Sequence, residues 1–313
     1  MSQHHALQAP ALARRRPQRA AAPGWRLGLR RHRLPLLFLL PAVVLVAAVS
    51  FYPILYAIYV SLHETSYLRL TSFVGLKHYV DFVQDPAGQN NLLRSFIYVL
   101  GSLVLAMPLG VSVAILLNRR LRFRTLFRTV VVIPWVIAQV VAALTWGWLA
   151  NGQFGPLPFL MQQLLGIRLD LLSPQTAMLT LIVANVWQSF PYPMLLTLAA
   201  LQTIPDELRE AALVDGANAW ARFWRITVPL ISNTLLISLI MLTLHNFNMV
   251  TLPLVMTGGG PVGTTEGLSV RAYLEGFQFN RFGFASAVGV AIFGFNMLFS
   301  LLYLKILRGE SQR

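Results

Sequence analysis

Residues 202–229, QTIPDELREAALVDGANAWARFWRITVP, form the one long polar interruption in the C-terminal half that carries both acids and bases, and apolar runs flank it. Local chemistry predicts two short helices and a hinge. Pro205 suits a first helical turn, and Asp206 and Glu207 place negative charge where the helix dipole favours it. Leu208, Ala211 and Ala212 recur at i, i+3, i+4 spacing and share a face. Gly216 can end this helix in a left-handed conformation that other residues adopt only at a cost. Asn218 is a good cap for a second helix. There Trp220, Phe223 and Trp224 share an apolar face, while Asn218, Arg222 and Arg225 share a polar one. The product is a small amphipathic elbow expected to lie on a membrane surface.

The flanking runs set the fold class. The 313 residues are 56% hydrophobic and only 12% charged, against roughly 25% charged in a soluble domain. That contrast predicts an all-α polytopic membrane protein. A net charge of +14 invites a nucleic-acid reading, but the basic residues sit mainly beside apolar runs, where membrane insertion demands them. There are no cysteines, which excludes disulfides, thiolate metal sites and cysteine nucleophiles.

Taken in order, residues 1–33 are an Arg-rich polar tail, expected to be a flexible cytoplasmic segment. The apolar run behind it is too long for a signal peptide. Six transmembrane helices are expected at about 34–62, 92–117, 129–149, 177–201, 230–250 and 284–307, each long enough to cross with some tilt. A short basic tail, 308–313, closes the chain. Residues 63–91 read as a mixed loop, and 150–176 as a Gly/Pro-rich loop with a short interfacial helix at Leu157–Leu165. Alternating these spans puts 19 of the 25 Lys and Arg on one side and 6 on the other. The bias sets an N-in, C-in topology and places the elbow in the cytoplasm.

Glu210-Ala211-Ala212, three residues, Gly216, nine residues, Ile226 and then Pro229 resemble the EAA loop of binding-protein-dependent ABC importers. The family signature, E-A-A-x3-G-x9-I-x-L-P, differs only at Val228. In that family the loop is a coupling helix that docks into a cleft on a cytoplasmic ATPase. The resemblance therefore implies an ATPase-coupling role for Glu210, Ala211, Ala212, Asp215, Gly216, Ile226 and Pro229. Thr257-Gly258-Gly259-Gly260-Pro261, with Tyr273 and Arg281–Ala287 beyond it, resembles a loop of the carbohydrate-uptake, maltose-type permeases of this class. A P-loop reading fails because no G-K-[ST] follows. By resemblance, Gly258, Gly259, Gly260 and Pro261 belong to a surface where a loaded binding protein docks.

The resemblance implies a sugar-importing permease subunit of a bacterial inner membrane. It implies a second, similar permease subunit, two ABC ATPases that carry ATP and Mg, an extracytoplasmic solute-binding protein and surrounding lipid. No cofactor, metal, catalytic group or nucleic-acid partner is expected on this chain. The amides and ring of Asn185, Trp187 and Gln188, with Asn246 and Asn248 in the next span, are candidates for the substrate pathway. Amides can serve hydroxyls as donor and acceptor, and a ring can stack on a sugar face. The same residues could instead hold helices together, and His245 reads as a packing residue. Glycerol-3-phosphate and polyols remain as alternative cargo. An ion-coupled carrier or channel without an ATPase would need ionisable groups inside the spans, and no acid falls within one.

Overall fold

The computed structural model describes residues 33–67, 69–119, 122–167 and 169–310. Most of the expected N-terminal tail lies outside the described residues, as does the end of the C-terminal one. The chain divides into two units, Met1–Pro53 and Ile54–Arg313. In the first, the helix that begins at Arg33 carries Pro41 within it. It exposes Phe38, Val43, Leu45 and Val49 along its length, as a lipid-facing helix would.

The helices and strands follow as α1 (Arg33–Ser61), β1 (His63–Ser66), β2 (Arg69–Phe73), α2 (Lys77–Gln84), α3 (Pro86–Asn118), α4 (Arg124–Val136), α5 (Gln139–Leu149) and α6 (Pro156–Leu165). After these come α7 (Ala177–Ser189), α8 (Pro191–Leu201), α9 (Asp206–Val214) and α10 (Ala219–Arg222). A π-helical turn, Phe223–Thr227, leads into α11 (Val228–Phe247). Next come α12 (Thr251–Thr257), α13 (Leu268–Tyr273), a second π-helical turn (Leu274–Gln278) and α14 (Phe282–Glu310). The fold is mostly helical, and the expected loop at 63–91 carries regular structure. The segment 63–91 holds an antiparallel hairpin, with Thr65 opposite Leu70 and Ser66 opposite Arg69, followed by α2. Its β-branched and aromatic side chains suit strands, and its backbone pairs are tied down. Gly283 N–H donates to Thr65 Oγ1 at 3.0 Å, and His78 Nε2 lies 3.1 Å from the His63 carbonyl.

Within the second unit, α3 is the pillar. It packs on α7, α8 and α11, while α11 also packs on α8 and α14. Asp85 caps it, accepting from Ala87 N–H at 3.0 Å, and Pro86 sits where no N–H is needed. Its 33 residues span about 50 Å at 1.5 Å per residue. Three apolar clusters mark its length. At one end Leu117 meets Leu201, Ile204 and Ile231. In the middle Val99, Leu103 and Ala106 meet Leu181, Leu242 and Phe247. At the opposite end Phe82 and Leu92 meet Leu268, Phe284 and Val288. The elbow and the Gly-rich segment therefore occupy opposite ends of this bundle.

Among the described residues, four helices are long and apolar enough to cross a membrane: the greater part of α1, α3, the run Ala219–Phe247 and most of α14. The expected span 129–149 is not one helix. α4 and α5 meet at a 92° bend, because Ile137 and Ala138 are both extended, with ψ of 134° and 135°. The expected span 177–201 is made of α7 and α8, of 13 and 11 residues, neither long enough alone. Pro191 and Pro193 remove N–H donors at their junction.

The α3–α8 contact depends on one missing side chain. A Cβ on Gly110 would come within 2.9 Å of the Phe190 carbonyl oxygen and of Pro193 Cγ, so the helices meet backbone to backbone. Gly110→Leu is expected to cost about 1–3 kcal/mol through overpacking. Thermal unfolding in detergent would show it, and an unchanged melting temperature would reject the close-packing account.

Candidate functional site

Three places gather the polar chemistry. The first is the elbow. α9 ends in a paired hydrogen-bond cap: Ala217 N–H donates to the Ala212 carbonyl at 2.9 Å and Gly216 N–H to the Leu213 carbonyl at 3.1 Å. That pairing needs a left-handed residue, and Gly216 supplies it at φ +74°. Asn218 then accepts from Ala221 N–H at 2.8 Å and starts α10. Arg222 Nη1 donates back to the Ala217 carbonyl at 2.7 Å, bracing the hinge. Trp220, Phe223 and Trp224 cluster with centroids 5.0–6.4 Å apart. Ala212 is buried, whereas Glu210, Ala211, Asp215, Gly216 and Pro229 are exposed and Ile226 is partly covered. From α10 the chain stays helical through the π turn into α11, so the second half of the elbow continues directly into a membrane helix.

The second place is a cavity of about 740 Å³ between α4, α5, α7 and α11. Two breaks in helices face it: Ile137 at the α4–α5 bend, and Asn248–Val250 between α11 and α12. Irregular backbone at membrane depth survives only where its polar groups are served. Gln188 Nε2 donates to the freed Ile137 carbonyl at 3.1 Å, Asn248 Nδ2 to the Leu244 carbonyl at 2.7 Å, and Ser269 Oγ to the Met249 carbonyl at 2.7 Å. Asn185, Gln188 and Asn248 line this cavity, together with Gln139, Ser189 and His245 and the rings of Trp135 and Tyr192. Asn185 Oδ1, Gln188 Oε1 and Ser189 Oγ are buried there without a partner. Among the described residues, no Lys, Arg, Asp or Glu is on its wall.

Two sequence candidates stand elsewhere. Trp187 packs edge-on against Trp146 at 6.0 Å. Asn246 is buried and accepts from Asn185 Nδ2 at 3.1 Å, while the same amide donates to Ser102 Oγ at 2.9 Å. Asn185 thus belongs both to a helix-joining network and to the cavity wall. Sequence reading missed Gln139, Ser189, Tyr192 and Trp135, and it treated His245 as packing. The one signal for the first and last of these was Pro134, just ahead of the bend.

The third place lies at the opposite end from the elbow. Gly258 and Gly259 adopt φ +63° and +82°, and the Gly260–Pro261 bond is cis. α3 holds this loop: Arg94 Nη1 donates to the Thr264 carbonyl at 2.6 Å, Asn91 Nδ2 to Glu266 Oε1 at 2.9 Å, and Leu268 N–H to Ser95 Oγ at 2.7 Å. Beside it Glu275, with a side chain only 2% exposed, pairs with Arg271 at 2.8 Å and Arg281 at 3.2 Å. Arg271 also reaches Glu266 at 3.4 Å and Asp85 at 3.7 Å.

A polar elbow, a cavity with a broken helix on its wall and a braced loop thus follow one another along a single helical bundle. Residues 106–309 match the family described as binding-protein-dependent transport system inner membrane component. The chain belongs to this family. It is accordingly a multi-pass inner-membrane protein and a transport component. It is similar to the trehalose/maltose transport system permease protein MalF of Thermococcus litoralis, at 32% identity over 284 residues, covering 90% of this chain and 96% of that one. It is also similar to the sn-glycerol-3-phosphate transport system permease protein UgpA of Agrobacterium fabrum, at 31% identity, covering 83% and 89%. In fold it resembles a chain of a bacterial alginate ABC transporter solved with an alginate pentasaccharide-bound periplasmic protein. The TM-score is 0.75 at 21% identity, with coverage of 90% and 96%.

Proposed function

We propose that this chain is the membrane-spanning subunit of an ATP-driven importer of a neutral sugar. It crosses six times, with the bent pair α4–α5 and the consecutive helices α7–α8 each forming one crossing and both ends in the cytoplasm. A second permease subunit completes the pathway. Two cytoplasmic ATPases, which hold the ATP and Mg, dock on the elbow through Glu210, Ala211, Ala212, Asp215, Gly216, Ile226 and Pro229. A solute-binding protein docks at the other end, around Gly258, Gly259, Gly260 and Pro261. Closure of the ATPase pair moves each elbow as a lever. Because α10 runs on into α11, that motion reaches the cavity wall at His245 and Asn248 and switches its access.

The observation that carries the substrate class is the cavity wall. Its amides, hydroxyls and two aromatic rings can serve sugar hydroxyls and C–H faces, and its volume falls in the usual range for small-ligand sites of ~300–1,000 Å³. Asn185, Gln188 and Asn248 are the pathway residues we assign there, with Asn246 and Trp187 supporting them from behind. The similarity to a glycerol-3-phosphate permease favours an anion as the second reading. A phosphate buried here would meet no lysine or arginine among the described residues, which costs several kcal/mol. A carrier coupled to ions is disfavoured on the same ground, since the buried carboxylate of Glu275 is already paired with two arginines.

The subunit purified with its partners and reconstituted into liposomes is expected to take up maltose or a similar neutral sugar with ATP and binding protein, and not without them. Uptake by this chain alone without ATP would overturn the importer reading. Efficient uptake of sn-glycerol-3-phosphate would overturn the neutral-sugar assignment. Because the sequence holds no cysteine, Ala217→Cys provides a clean topology probe. A membrane-impermeant maleimide should label it only from the cytoplasmic side.

A further inference from the structure

We propose that the arginine-bearing start of α4 docks the phosphate of an anionic phospholipid. Arg119, Arg122, Arg124 and Arg128 fall within ten residues, and among the described residues none of the four is paired with a carboxylate. Arg124 and Arg128 are one helical turn apart, a spacing at which like charges repel. Two nitrogens of Arg128, Nε and Nη2, are buried and meet no acceptor among the described residues. A guanidinium in that state calls for an anion. Phosphate matches it, offering several oxygens to two arginines at once.

The neighbours of these arginines select a lipid over a soluble anion or an acidic protein. Phe123, Leu126 and Phe127 alternate with them and are 66%, 60% and 49% exposed. Apolar side chains among arginines at the start of an apolar helix are what an interfacial segment presents to headgroups and the adjoining acyl region. The start of α4 follows the end of α3 where Leu117 meets Leu201, Ile204 and Ile231, the end of the bundle from which the elbow leaves. A lipid held there would brace the base of the lever. The assignment to the cytoplasmic leaflet rests on the proposed N-in topology, but the binding surface does not.

The test is native mass spectrometry of the full chain with its co-purifying partners in detergent, titrated separately with phosphatidylglycerol and phosphatidylcholine. The wild type is expected to retain phosphatidylglycerol preferentially. Arg124→Gln with Arg128→Gln should reduce that preference by roughly fivefold per arginine, while Arg69→Gln on the distant hairpin leaves it unchanged. Should the double glutamine variant fail to insert, Arg124→Lys with Arg128→Lys keeps the charge that insertion reads and must still lower the preference at least twofold. Equal retention of the two lipids by the wild type, or an unchanged preference in the variants, would overturn the proposal. So would loss of the ATPase subunits with lipid retention intact, which would give these arginines to the ATPase. Labelling of Ala217→Cys from outside would move the site to the other leaflet without removing it, so the two readings fail separately.

Discussion

Glu210→Lys is expected to reduce ATP-driven uptake to background while the protein still inserts, folds and binds its partner permease. Glu210 is exposed on α9, so removing its charge deprives the bundle of nothing. The reversal places a cation where the proposed ATPase cleft is built for an anion, and like-charge contact at an interface costs several kcal/mol. Gly216→Pro should give the same result by a different route. The cap at Gly216 needs φ +74°, which proline cannot adopt, and the N–H that proline lacks is donated to the Leu213 carbonyl. The elbow would lose its hinge angle. Gly216→Asn is the informative control, because asparagine tolerates the left-handed region and nothing lies within 4 Å of a Cβ there. It should retain most transport. Wild-type uptake by both the lysine and proline variants would remove the elbow from the coupling mechanism. Failure of the asparagine variant would mean that glycine is needed for close approach of a partner and not for backbone freedom.

The second large effect is on stability, at the other end of the bundle. Glu275→Leu should destabilise the protein by about 3 kcal/mol, the lower part of the range for removing one partner of a buried pair. Arg271, only 19% exposed, would keep Glu266 and Asp85 at 3.4 and 3.7 Å but lose its shortest contact. Arg281, with 54% of its side chain exposed, can turn to water, so Arg281→Gln should cost under ~1 kcal/mol. Thermal unfolding in detergent distinguishes the two substitutions. A leucine variant as stable as the wild type would show that the cluster is not needed to fix the loop on α13 and α14.

The sequence by itself determined the class. Composition and the order of apolar and basic stretches are properties of residues along the chain, and lipid reads them directly. Local elements were equally legible where one residue's backbone preference decides them. The Gly216 cap, the Asn218 cap and the helix expected at Leu157–Leu165, found at Pro156–Leu165, all appear as their residues dictate. What the sequence could not decide depends on groups brought together from afar. The α4–α5 bend lies within a mostly apolar run that reads as one span, and it is stabilised by Gln188, 51 positions away, which takes up the freed carbonyl. Asn185 and Asn248 point to one cavity only because α7 and α11 pack on the same stretch of α3. Glu275 reads as a loop acid, yet it is buried because Arg271 and Arg281 close over it. Hydropathy fixes which segments enter the membrane. The partners of each freed backbone or buried charge fix their shape, and only tertiary packing supplies those partners.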